Sequence, residues 1–128
     1  MGRPAATPFS LLYDPPMNWT IVGAVLGFIA VAAGAFGAHG LKGVLTPERF
    51  ETFEVAVRYQ MYHALAILLA GLLGAPQAAW CFLAGVLIFS GSLYLLVLTG
   101  ERWLGAITPI GGLFFLAGWL ALAWLGRR

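Results

Sequence analysis

Apolar and polar positions alternate along this chain in long blocks, and the block pattern predicts four membrane-spanning helices. Residues 15–41 contain no charged side chain, and neither do residues 59–100. The second block is long enough for two spans, and residues 74–77 (GAPQ) divide it with the chemistry of a tight turn. A helix of about 20 residues crosses the hydrocarbon core of a bilayer. We therefore predict helices at residues 18–40, 47–74, 78–98 and 103–125.

The polar segment before the second span predicts a helix that begins outside the membrane. Thr46, Pro47 and Glu48 have the pattern of an N-cap, a first-turn proline and an acid near the positive end of the helix dipole. Glu54 and Arg58 follow, four residues apart, and can pair on one face. We predict an all-α fold, an integral membrane four-helix bundle with an amphipathic extension leading into helix 2.

The start of the fourth helix has two interpretations. Thr108 and Pro109 repeat the cap-then-proline pattern of the second helix. Either the helix starts at Trp103 and kinks at Pro109, or residues 103–107 form a short separate piece at the membrane interface.

Residues 1–16 differ from the rest of the chain. Four of these residues are prolines, which remove backbone donors and exclude a regular helix. We interpret residues 1–16 as a Pro-rich N-terminal arm and residues 17–128 as a single transmembrane domain. The arm is the segment that we expect to dock on a partner.

Small residues recur four apart in the first predicted helix and predict a close-packing face. The three series are Gly23 with Gly27, Ala30 with Gly34 and Ala38, and Ala33 with Gly37.

Composition agrees with a membrane protein and excludes several other classes. Hydrophobic residues make up 61% of the 128 and charged residues 9%, with a mean hydropathy of +0.89. Soluble domains carry about 25% charged residues, and no soluble fold of this length could bury so much apolar surface. The net charge of +2 is scattered, so we expect no nucleic-acid partner. The expected partners are the lipid bilayer and other membrane protein subunits, in the cell (inner) membrane if the source is bacterial.

Four spans place both chain ends on one side of the membrane. Three basic residues then lie on the side of the termini and four on the other, so the charge distribution leaves the orientation open.

The reactive residues are too few to predict an enzyme. The single cysteine, Cys81, lies in an apolar run, and the two histidines are far apart, which fits no zinc-site spacing. The chain has no phosphate-binding glycine loop after a strand. We predict no catalytic residue, no metal site and no cofactor.

Gln60 and His63 are the polar residues that most need an explanation, because they enter the membrane with the second helix. They are three residues apart and share a face with Phe53, Ala56 and Ile67. Either they form hydrogen bonds between helices, or they bind a ligand or a proton directly.

The predicted topology brings most of the polar residues to the side of the first and third loops, with His39 and His63 at similar depth. This polar face consists of His39, Arg58, Tyr59, Gln60, His63, Tyr94, Glu101, Arg102 and Thr108.

Three hypotheses account for this polar face. Its residues can be paired with one another in an accessory or structural subunit. The face can be the mouth of a path for protons, ions or a small solute, with His39 and His63 titrating. The two histidines can also be axial ligands of a haem, which is disfavoured because His39, followed by Gly40 at a helix end, is a poorly fixed ligand.

Four motifs in this order resemble a known family. They are residues 34–41 (GAFGAHGL), 59–65 (YQMYHAL), 90–94 (SGSLY) and 108–112 (TPIGG). Together they resemble the family called domain of unknown function 423, which includes transmembrane protein 256-like members in eukaryotes, over residues 17–127. The resemblance implies a multi-span membrane protein and supplies no catalytic residue. It directs attention to His39, Gln60, His63, Tyr94, Thr108 and Pro109.

The hypothesis that best fits these observations is a non-enzymatic accessory or structural subunit that docks on a larger membrane complex. The alternative is a small proton, ion or solute channel or transporter that uses the His39/His63 face.

Overall fold

The structure, a computed structural model, describes residues 17–126, and this part of the chain forms helices and no strand. It contains four helices long and apolar enough to cross a membrane, which confirms the predicted fold class. Residues 1–16, the predicted arm, lie outside the described residues. The helices are α1 (Trp19–Leu41), α2 (Pro47–Leu72), α3 (Pro76–Thr99) and α4 (Thr108–Leu125), with a 3-10 helix (Arg102–Ala106) before α4.

Each helix packs mainly on its neighbour in the chain: α1 on α2, α2 on α3, and α3 on α4. As a result α2 and α3 are the most buried helices, and α1 and α4 are the outer ones. Alanines dominate the core because small side chains let the backbones of membrane helices approach closely. The core cluster consists of Ala66, Ile67, Ala70, Ala75, Ala78, Ala79, Phe82 and Leu122.

Glycines fix the antiparallel contact between α1 and α2. A methyl group built on Gly23 would lie 2.6 Å from Cδ2 of Leu68, and one on Gly37 would lie 3.1 Å from Cζ of Phe53. Gly23 and Gly37 belong to the small-residue series that was predicted to form a packing face. In the structure they contact α2, as that prediction requires.

Side-chain caps satisfy backbone donors at the start of the first two helices, and the cap of α2 is the one that its sequence predicted. The Asn18 side chain accepts a hydrogen bond from the Ile21 N–H at 3.2 Å, and Thr46 Oγ1 accepts one from the Arg49 N–H at 3.2 Å. After α2, Gly74 adopts a φ of 69°, a left-handed conformation suited to glycine. The turn has the predicted length of three residues but lies two residues earlier than predicted, because α2 ends at Leu72 and α3 begins at Pro76.

The segment before α4 follows the second of the two interpretations. Residues 102–106 form a separate 3-10 helix, and α4 begins at Thr108 with Pro109 in its first turn, where proline loses no helical hydrogen bond. Thr108 is not the N-cap that the pattern predicted, because its hydroxyl donates to the Leu104 carbonyl at 3.3 Å.

Two helices contain a wider π-type turn that the hydrophobic pattern did not predict. These turns are Ala33–Gly37 in α1 and Val86–Ser90 in α3. The turn in α3 ends at Ser90, whose hydroxyl donates to the Ala56 carbonyl of α2 at 2.8 Å. An extra residue in a turn changes the phase of the helix beyond it, so each insertion redirects the side chains that follow.

Two adjacent glycines of α4 provide a test of this packing. A methyl group on Gly111 would collide with the Phe89 backbone of α3, whereas one on Gly112 would meet no atom within 4 Å. We expect Gly111→Ala to lower the free energy of unfolding by about 1–3 kcal/mol. Gly112→Ala is the matched control, because both changes bring the same gain in helix propensity.

Thermal unfolding in detergent measures the difference, with a lower melting temperature expected for Gly111→Ala alone. Equal melting temperatures for the two variants would contradict the α3–α4 contact.

Candidate functional site

The inward face of α2 carries the two polar side chains singled out by the sequence. Gln60 is 3% exposed and His63 is 4% exposed, in a buried stripe with Phe53, Ala56 and Ile67. The stripe follows from the three- and four-residue spacing of these positions, which places them on one side of a helix. Both polar groups therefore lie inside the protein and need partners there.

Gln60 connects three helices through its side-chain amide. Its Nε2 donates to the Leu26 carbonyl of α1 at 2.8 Å, and its Oε1 accepts a hydrogen bond from the Tyr94 hydroxyl of α3 at 2.7 Å. The Tyr94 ring also packs on Phe53, with 5.9 Å between ring centroids. One amide on α2 thus fixes the positions of α1 and α3.

His63 connects α2 to α4, and its two partners define its protonation. The Tyr59 carbonyl lies 2.7 Å from Nδ1, and Trp119 Nε1 donates to Nε2 at 3.1 Å. A carbonyl only accepts, so Nδ1 must carry the proton, and an indole N–H only donates, so Nε2 must be bare. In this arrangement His63 is neutral, with its proton on Nδ1.

Stacked rings surround His63. The imidazole lies 3.5 Å from the Phe115 ring, centroid to centroid, at an interplanar angle of 7°. Tyr59 stacks on Phe89 at 4.7 Å, and Phe82 meets Trp119 edge-on at 4.9 Å. These contacts join side chains of α2, α3 and α4 into one aromatic cluster, which holds the imidazole in the orientation that its hydrogen bonds require.

Hydroxyl groups add a third set of links, centred on α3. Besides the bond from Ser90 to Ala56, Ser92 Oγ lies 2.6 Å from Thr108 Oγ1 of α4. Across residues 17–126, no buried side-chain nitrogen or oxygen lacks a hydrogen-bond partner. The buried polar side chains in this part of the chain are therefore all paired with other protein groups.

A groove of about 410 Å³ lies between α2 and α4 beside this cluster. We call it the α2–α4 groove. Tyr59 and His63 line it from α2, Phe89 lines it from α3, and residues of α4 between Pro109 and Trp119 line the remainder. Leu113 and Leu116, at the groove, are 66% and 62% exposed. The groove is therefore open on the surface of the helical assembly.

The structure brings together five of the nine predicted polar-face residues. Tyr59, Gln60, His63, Tyr94 and Thr108 take part in the links described above or line the groove. The other four, His39, Arg58, Glu101 and Arg102, are exposed. A functional role for any of the nine stays a prediction.

The expectation that His39 and His63 lie at similar depth is wrong. The register of α1 against α2 places Gly27 beside Met61 and Ala64, close to the level of His63. His39 follows Gly27 by twelve residues, which is about 18 Å along a helix. The two histidines therefore lie at different depths along the helices. This geometry gives no support to a haem held between them.

Sequence reasoning missed the partners that α4 supplies. Trp119 was not among the candidate residues, yet it donates to His63 and lines the groove. A signal was present, because Trp119 precedes Trp124 by five residues and so lies deeper than an interfacial belt. Its N–H needs an acceptor at that depth. Among the described residues, no group of three His, Cys, Asp or Glu side chains could hold a metal ion.

Four apolar helices joined by buried polar side chains define a multi-pass α-helical membrane protein. Residues 33–112 match the family model described as protein of unknown function (DUF423), and the chain belongs to this family.

The chain is similar in sequence to bacterial proteins that are named as membrane proteins. A UPF0382 membrane protein of Staphylococcus haemolyticus is 50% identical over 108 residues, covering 80% of this chain and 88% of the relative. The UPF0382 membrane protein YwdK of Bacillus subtilis is 41% identical over 110 residues, covering 80% of this chain and 89% of the relative. No solved structure matches the chain at a significant level.

The bond between Tyr94 and Gln60 can be tested by removing one hydroxyl. Tyr94→Phe leaves the buried Oε1 of Gln60 without its donor, so we expect a loss of about 0.5–2 kcal/mol in the free energy of unfolding. Tyr62→Phe is the matched control, because Tyr62 is 51% exposed. Denaturant unfolding in detergent measures both.

A Gln60→Leu background completes the test. Adding Tyr94→Phe there should cost less than it does in the unmodified protein, because the acceptor is already gone. Equal costs in both backgrounds would show that the two side chains do not interact.

Proposed function

We propose that this protein is a non-enzymatic accessory or structural subunit of a larger membrane complex. The observation that carries the proposal is the complete pairing of its buried polar side chains within residues 17–126. A transport path or a catalytic centre needs polar groups left over to meet a solute or a substrate. Here the same groups hold helices together, which supports a structural role.

The outer position of α1 supports a partner on that side. Its inner face packs on α2, while Ala24, Phe28, Val31 and Ala35 are exposed on the opposite side at three- and four-residue spacing. The Phe28 ring, 76% exposed, projects from this face as a contact for a partner, while the small side chains of Ala24 and Ala35 leave room for a partner helix beside it. We assign the partner contact to these four residues, which we call the outer face of α1.

The alternative of a channel or transporter is less well supported than the subunit role, because its two histidines lie apart. It relied on His39 and His63 acting on one face, and the register of α1 against α2 separates them. The engagement of both His63 nitrogens leaves that ring without a free site for a proton in the described arrangement.

The serines give no support to a hydrolytic alternative. Ser90 donates to the Ala56 carbonyl, and Ser92 is bonded within the α3–α4 contact. No histidine is bonded to either hydroxyl, as a general base would be.

The test is the composition of the protein extracted from its own membranes in a mild detergent. We expect the tagged chain to migrate with a second chain in fixed stoichiometry, identified by mass spectrometry. Ala24→Phe should remove this partner by blocking close approach. Ala117→Phe, on the exposed side of α4, is the matched control and should retain it. A lone monomer or a homo-oligomer as the native species would contradict the proposal.

The same preparation tests the predicted docking role of residues 1–16. Their deletion should release the partner while the melting temperature of the remaining chain stays unchanged. Full co-purification of the shortened chain would exclude this role for the arm and would leave the outer face of α1 as the contact.

A further inference from the structure

We propose that the α2–α4 groove binds one hydrocarbon chain of a membrane phospholipid. This binding site is independent of the subunit role above. It is inferred from the depth, lining and shape of the groove and from a cationic side chain in the segment that leads into α4.

The groove has the length of one leaflet. On α4 it extends from Pro109 to Trp119, which are ten residue steps apart, or about 15 Å along the helix. This is half of a hydrocarbon core of about 30 Å. On α4 the groove starts next to the first residue of the helix, Thr108, and extends towards the middle of the candidate span Arg102–Leu125. A chain lying along α4 would therefore be oriented as in the surrounding leaflet.

The lining selects for hydrocarbon. The ring nitrogens of His63 and the indole N–H of Trp119 are bonded to protein groups. Pro109 has no backbone N–H to offer, and the remaining α4 side chains that line the groove are aliphatic or aromatic. Apart from the Tyr59 hydroxyl, this lining offers no partner to a ligand's donors and acceptors, and leaving them unpaired carries a cost that an alkyl chain avoids.

The walls of the groove are pre-formed. The His63 and Phe115 rings are nearly parallel in direct contact, which fixes the wall between α2 and α4. Gly112 leaves the floor free, because a side chain at this position would meet no atom within 4 Å. A volume of about 410 Å³ also lies within the range of about 300–1,000 Å³ found for small-molecule sites. A pre-formed site binds without the entropy cost of ordering its walls.

A cationic side chain in the segment that leads into α4 favours a phospholipid over an uncharged lipid. Arg102 begins the 3-10 helix that leads directly into α4, and its side chain is exposed, as is that of the preceding Glu101. At the end of a membrane span a guanidinium group meets the phosphate layer and can bind a phosphate through paired hydrogen bonds. A chain in the groove and a phosphate at Arg102 together describe one phospholipid molecule.

Titration of the delipidated protein with phosphatidylglycerol, followed by native mass spectrometry, tests the site. We expect one tightly retained phosphatidylglycerol per chain. Gly112→Leu places a side chain in the groove and should weaken this binding about tenfold or more, which is at least 1.4 kcal/mol. Gly91→Leu is the matched control, because Gly91 also has no atom within 4 Å of a built Cβ and does not line the groove.

Retention of phosphatidylglycerol by Gly112→Leu at the level of the unmodified protein would overturn the proposal. So would the absence of any retained phospholipid. Displacement by an isoprenoid quinone at equal concentration would assign the groove to a prenyl chain and overturn the phospholipid assignment. Arg102→Gln should weaken phosphatidylglycerol binding several-fold, and unchanged binding would also count against that assignment.

A measurement on the unmodified protein covers the case in which Gly112→Leu does not fold. Phosphatidylglycerol with a photoreactive diazirine in its acyl chain is incorporated into vesicles with the protein and activated. We expect cross-links concentrated at Leu113, Leu116 and Trp119, above the level at Leu120, which is 73% exposed outside the groove. An even distribution over the exposed surfaces of α1 and α4 would overturn the proposal.

Discussion

Hydrogen bonds made by two polar side chains on α2, Gln60 and His63, connect this helix to each of the other three. Inside a membrane protein, no water is available to bind an unpaired amide or imidazole. Leaving such a group unpaired lowers the free energy of unfolding by on the order of several kcal/mol, as expected for an unsatisfied polar group in lipid. Gln60 meets this requirement with the Leu26 carbonyl of α1 and the Tyr94 hydroxyl of α3, and His63 meets it with Trp119 of α4. An alternative packing of the helices that separated these partners would bury polar groups without hydrogen bonds. Such a packing could bury the same apolar surface, so the hydrogen bonds favour the observed arrangement over it.

Small residues make these bonds geometrically possible. An amide reaches a carbonyl on the next helix only if the backbones are close, and Gly23 and Gly37 allow this along α1. Between α3 and α4, the missing side chain of Gly111 leaves room for the Phe89 backbone. The two helices can therefore pack closely, and Trp119 of α4 reaches His63. The α2–α4 groove follows from the same arrangement, because α2 and α4 meet through aromatic side chains while their backbones pack on α3.

Hydrophobic patterning was sufficient to predict the four spans, and three-residue spacing was sufficient to predict the buried stripe around Gln60 and His63. These properties depend on one helix at a time. The partners of Gln60 and His63 depend on the register between helices, which the sequence of a single helix does not contain. The same reason explains the wrong placement of His39 beside His63, because that register is defined by contacts between the two helices, such as those of Gly27 and Gly37. The π turns and the 3-10 helix before α4 also change helix phase and length without altering hydropathy.

The measurement that tests this account most directly is the nitrogen-15 spectrum of the His63 ring in a bilayer at neutral pH. A His39→Gln background leaves one imidazole, and the exposed position of His39 makes that change a mild one. The account predicts a neutral ring with a proton on Nδ1 and a bare Nε2, whose chemical shift moves when Trp119→Phe removes the indole donor. A ring protonated on Nε2, or an Nε2 shift insensitive to Trp119→Phe, would contradict the link between α2 and α4 on which the arrangement depends.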